Sequence, residues 1–165
     1  MKFKTVIALL LTLCGVIEGK GVTLKVVLKG SGLSEDVVIR GQRLRDFHVW
    51  SGPGVFVNRV EETQGFIIDW DAGIVVNPPA DLRKFEVEFY TGCAPEWHCP
   101  SKEESLTYVV IYGYSPSSKE SYVYLPGKDD ALFQNNSAML HGHGYEGHWF
   151  KATKDWEGFV KPFIP

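Results

Sequence analysis

Apolar residues in this chain recur at every second position rather than every third or fourth. Phe85, Val87 and Phe89 alternate with Lys84, Glu86, Glu88 and Tyr90. An extended backbone therefore places the apolar side chains on one side and the charged ones on the other. Leu24, Val26 and Leu28 alternate in the same way with Thr23, Lys25, Val27 and Lys29. Short apolar runs over residues 37–39, 66–70 and 74–76 are bounded by Gly, Pro, Asp or Asn, and Asp71-Ala72-Gly73 predicts a hairpin between the last two. A second hairpin is expected from residues 108–114 and 121–125 around Ser115-Pro116-Ser117-Ser118. The one helical pattern covers residues 154–160, where Trp156, Phe159 and Val160 share a face, Thr153 caps the start and Pro162 stops the run. Together these signals predict an all-β chain, an antiparallel β-sandwich or flattened barrel of about seven to nine short strands with one short C-terminal helix.

The first residues differ in character. A basic head, Met1-Lys2-Phe3-Lys4, precedes an apolar run over residues 6–17 and the small, polar Glu18-Gly19-Lys20-Gly21. This is the pattern of an export signal, and it is too short for a membrane span, which needs roughly 20 apolar residues. Cleavage is expected after Gly19 or after Gly21. The reading adopted is a removed leader over 1–21 and a single β-sandwich domain over 22–165, secreted or periplasmic, with no transmembrane span in the mature chain. Lipid attachment at Cys14 is disfavoured, because the bulky Leu13 stands where a lipoprotein box takes a small residue. The leader carries three lysines against one glutamate, so its removal takes the net charge from −3 to −5. The charges are scattered, with no basic stripe for a nucleic-acid backbone.

Export also sets the chemistry of the remaining cysteines. Cys93 and Cys99 flank a proline-containing loop, and in an oxidising compartment they are expected to form a local disulfide; a redox pair or a metal site with His98 is the alternative. Closing so small a ring contributes about 2 kcal/mol. The segment richest in potential ligands is His141-Gly142-His143-Gly144-Tyr145-Glu146-Gly147-His148. His141 and His143 fall on one side of an extended strand, and Glu146 or His148 supplies a third ligand if the glycines turn the chain back, a set suited to Zn or Cu. The opposing reading is a glycine-rich surface loop that needs no cofactor.

Aromatic residues provide the other candidate site. A suitable register of the second hairpin puts Tyr112 and Tyr114 beside Tyr122 and Tyr124 on one face, where they stack on sugar rings or dock a protein. Trp97, inside the cysteine loop, is expected to be exposed, whereas Trp50, Trp70, Trp149 and Trp156 are assigned to the core. Ser51 lies in a Gly-Pro-Gly turn rather than a nucleophile elbow, and Asp69 and Asp71 flank a turn. No phosphate cradle or dinucleotide fingerprint is present. No catalytic residue is assigned. The sequence thus points to an exported, non-catalytic recognition or envelope-associated module that binds protein or glycan. The second reading is a transition-metal protein or metalloenzyme centred on His141, His143 and His148.

Overall fold

The computed structural model describes residues 22–30, 32–45, 56–57, 60–61, 67–94, 98, 101, 103–136 and 144–165. Among them are nine strands: β1 (Val22–Gly30), β2 (Val37–Arg40), β3 (Phe56–Val57), β4 (Val60–Glu61), β5 (Ile68–Val75), β6 (Arg83–Gly92), β7 (Ser105–Tyr114), β8 (Ser121–Tyr124) and β9 (Trp149–Ala152). One α-helix, α1 (Lys154–Val160), follows. Seven strands form a single sheet in the order β2-β1-β6-β7-β8-β9-β5, and β3 pairs with β4 separately. Every pairing is antiparallel. The chain is all-β with one short C-terminal helix, as the period-two pattern predicts. No helix among the described residues is long and apolar enough to cross a membrane.

The core lies on one face of the sheet and follows directly from strand alternation. Val26 faces Phe89, which faces Tyr108; Leu28, Val87 and Val110 form the next row; Phe85, Tyr112, Val123 and Phe150 form the one after. None of these residues is more than 2% exposed. Helix α1 packs on this face through Trp156, whose ring centroid lies 5.7 Å from that of Phe89 and 6.2 Å from that of Tyr112. Its start is capped as expected, with Thr153 Oγ1 accepting a hydrogen bond from the Trp156 amide at 3.1 Å.

Three expectations are corrected by register. Residues 68–75 are not a hairpin: Ile68 and Asp69 pair with Ala152 and Lys151, and Ile74 and Val75 resume on the same strand with Phe150 and Trp149. Residues 70–73 are therefore an outward bulge in β5, closed by the Ala72 amide donating to Asp69 Oδ1. The bulge carries Trp70 onto Tyr145 and Phe150, with ring centroids 5.0 and 5.2 Å away. In β1 the register shifts between Thr23 and Lys25, so Leu24 leaves the alternation and Thr23 is buried.

The single tyrosine face is the third correction. Tyr112 pairs with Val123, while Tyr124 pairs with Ile111 and Tyr122 with Gly113. Because partners across a ladder share a face, Tyr112 and Tyr114 belong to the core side and Tyr122 and Tyr124 to the other. Tyr112 is buried, its hydroxyl 2.7 Å from Ser121 Oγ, and Tyr114 packs against the edge of the same core.

Candidate binding groove

A continuous register row crosses the face opposite the core. Lys29 pairs with Glu86, Glu86 with Ile111, Ile111 with Tyr124, Tyr124 with Trp149, and Trp149 with Val75. The row runs perpendicular to six strands and so spans about 24 Å at the usual strand spacing. A groove of about 520 Å³ follows it from Lys29 to Trp149, with Ile111, Tyr124 and Trp149 in its lining and Lys29, Lys84, Glu86 and Asp130 around them. That volume is within the range of small-ligand sites. Its character changes along its length, from charged at β1 and β6 to aromatic at β8 and β9.

Trp149 was expected in the core. It is half-buried on the groove face instead, because strand β9 places Phe150 on the core side and alternation sends Trp149 the other way. Gly113 makes room for the ring. A Cβ at Gly113 would stand 3.1 Å from the edge of the Trp149 indole and 3.1 Å from a Leu82 methyl. Lys84 holds its ammonium 5.6 Å from the centre of the same ring, in cation–π range. The Tyr124 ring lies beside the indole, with centroids 5.2 Å apart and planes tilted by 39°. Two adjacent aromatic rings thus share the groove.

One end wall is built from backbone constraints. Asp130 Oδ2 accepts from the Tyr124 hydroxyl at 2.7 Å and from the Gly127 amide at 2.6 Å, which fixes the Tyr124 ring. Burial and the Asp130 contact push the Tyr124 hydroxyl up to about 12. Gly147 donates to the Leu125 carbonyl and Leu125 donates to the His148 carbonyl, so the 144–148 turn is tied to the end of β8. The approach is close: a Cβ on Gly127 would lie 2.8 Å from Gly147 Cα. Asp130 also precedes a short 3₁₀ turn, Ala131–Asn135, that ends beside β7. There Asn136 Oδ1 accepts from the Val109 amide at 2.6 Å, beyond the last pair that β8 makes with β7.

At the other end, Glu86 and Glu88 lie on the groove side of β6 with opposite electrostatic fates. Burial and the nearby Glu88 carboxylate hold Glu86 above the usual glutamate range. Burial also opposes ionisation of Glu88, but hydrogen bonds from Lys29 at 2.6 Å and the Tyr90 hydroxyl at 2.9 Å outweigh it, and its carboxyl is held below that range. The pair leaves Glu88 sequestered and Glu86 lining the groove.

The expected site residues are dispersed. Tyr124 lines the groove, whereas Tyr122 is buried one row away and donates to Glu120 Oε2 at 2.6 Å. Glu146 lines an adjoining hollow of about 390 Å³ with Tyr124, Asp129 and Asp130, and His148 is exposed. His141, His143, Trp97 and Cys99 lie outside the described residues, as does Trp50. Among the described residues no three His, Cys, Asp or Glu side chains are grouped to hold a metal ion. Cys93 is half-buried just after β6, its sulfur 3.3 Å from the Ala94 carbonyl oxygen. Sequence reasoning missed Lys84, Glu86, Lys29, Ile111, Asp130 and Trp149. The signal for the first two was present, since the alternation that buries Phe85 and Val87 sets Lys84 and Glu86 on the opposite face. No protein-family model, curated protein or solved structure matches the chain.

Proposed function

We propose that the chain is an exported, non-catalytic recognition module that holds an extended protein or glycan ligand in the groove across its sheet. The observation that carries this reading is the unbroken row from Lys29 to Trp149, which lines up polar, aliphatic and aromatic side chains along one open groove. Rigid strands position the contacting groups, and the tyrosine face expected on the hairpin is replaced by Tyr124 and Trp149. Export removes residues 1–21, and in the oxidising compartment Cys93 pairs with Cys99.

The test uses a glycan array and a panel of immobilised extracellular proteins probed with wild type, Trp149→Ala and Tyr124→Ala. At least one bound species is expected to be lost on substitution of Trp149. Binding that is identical in all three proteins rules out the groove. Circular dichroism and denaturant melts of the variants establish that a loss is not unfolding.

A further inference from the structure

We propose that the ligand of this groove is a neutral, linear oligosaccharide, with sugar ring faces stacked on Trp149 and Tyr124 and hydroxyls hydrogen-bonded by Lys84 and Glu86. The inference rests on the groove being a recognition site and adds the chemical class of its ligand.

The first argument is what the groove floor lacks. Strands β6, β7, β8 and β9 each have a paired neighbour on both sides along the row, so their ladder amides and carbonyls are committed within the sheet. A peptide that binds by adding a strand needs a free edge, and this face offers side chains alone. Recognition there depends on ring faces and side-chain hydrogen bonds. Trp149 and Tyr124 provide two adjacent ring surfaces, 5.2 Å apart and tilted by 39°, on which the apolar C–H face of a sugar ring packs.

Charge balance supplies the second argument. The groove has two cations, Lys29 and Lys84, and two acids, Glu86 and Asp130. Lys29 is engaged by Glu88, and Asp130 Oδ2 is engaged by Tyr124 and Gly127. Lys84, whose ammonium lies 5.6 Å from the centre of the Trp149 ring, and Glu86 stand two residues apart on β6, about 6.7 Å along the strand, one a donor beside the stacking ring and the other an acceptor. A polyanion would meet Glu86 and Asp130, and a polycation would meet Lys29 and Lys84. Hydroxyl groups donate and accept, so a neutral glycan satisfies both. The lined part of the row, from Lys29 to Trp149, crosses five strands and spans about 19 Å, longer than a single sugar, which predicts a preference for oligomers.

The experiment follows the Trp149 indole N–H by NMR, assigned by its loss in Trp149→Phe. Mono-, di- and longer oligosaccharides of glucose, of mannose and of N-acetylglucosamine are titrated, with oligogalacturonate as the anionic counterpart. At least one neutral series should shift this signal with affinity rising with length. Lys84→Met and Glu86→Gln, both on the groove rim, should each weaken that binding roughly tenfold. If no neutral oligosaccharide shifts the signal, or only oligogalacturonate does, the inference is overturned. A protein retained by wild type and lost in Trp149→Ala would then show that the recognition reading survives without it. Identical retention of every glycan and protein by wild type and Trp149→Ala would sink both.

Discussion

Gly113 decides where the largest groove side chain sits. Its missing Cβ is space that the Trp149 indole and Leu82 occupy. Gly113→Val is expected to displace the indole and destabilise the fold by about 1–3 kcal/mol, as overpacking does. Urea melts together with the Trp149 indole N–H signal check this, and an unmoved signal would contradict it. The two glutamates of β6 give a prediction of opposite signs. Glu88 ionises more readily in the fold than in the unfolded chain, so its contribution is complete above the ordinary glutamate pKa and is lost as pH falls through its lowered value. Lys29→Met, which strips the ion partner from a carboxylate with only 8% of its side chain exposed, should cost about 1–2 kcal/mol near pH 7. That cost should shrink as pH falls through the lowered Glu88 pKa, where the carboxylate takes up its proton. Glu86 is raised, so ionising it opposes folding, a penalty absent below the ordinary pKa and complete above the raised one. Glu86→Gln should therefore be neutral or stabilising near pH 7 and without effect near pH 3, measured by the same melts.

Among the elements, α1 was legible to the residue. Its cap and its end depend on contacts within a few positions, and the helical spacing alone puts Trp156, Phe159 and Val160 on one face; the structure has Thr153 capping and that triplet buried. Thr153→Ala should cost about 1 kcal/mol in a denaturant melt. Trp156→Ala should cost about 3–5 kcal/mol, because it empties a fully buried site between Phe89 and Tyr112. Strand β5 was misread for an equally physical reason. Asp71-Ala72-Gly73 has turn chemistry, with Gly73 at φ +69°, and local chemistry does not say whether a turn reverses the chain or returns it to the same neighbour. Both halves find β9, and the turn becomes a bulge on which Trp70 reaches Phe150. Trp149 was assigned to the core on the size of its side chain, yet its parity against Phe150 already placed it on the other face.

For the whole molecule, export and the cysteine bridge are tested together. N-terminal sequencing of protein recovered from outside the cytoplasm should begin at Lys20 or Val22. Its non-reduced mass should fall two hydrogens below the dithiol form, and a free dithiol would remove the bridge. What the sequence determined by itself was the all-β class, the single short helix, the 108–125 hairpin and the polarity of each face of β6, since each follows from side-chain periodicity along a few consecutive residues. What only the tertiary structure decided was which strands lie side by side and in what register. A shift of one residue exchanges the two faces of a strand, and the energy that selects the register comes from burying distant partners together. For that reason Tyr112 and Tyr124 part company, and Lys29, Glu86, Ile111, Tyr124 and Trp149, scattered over the chain, meet in one groove.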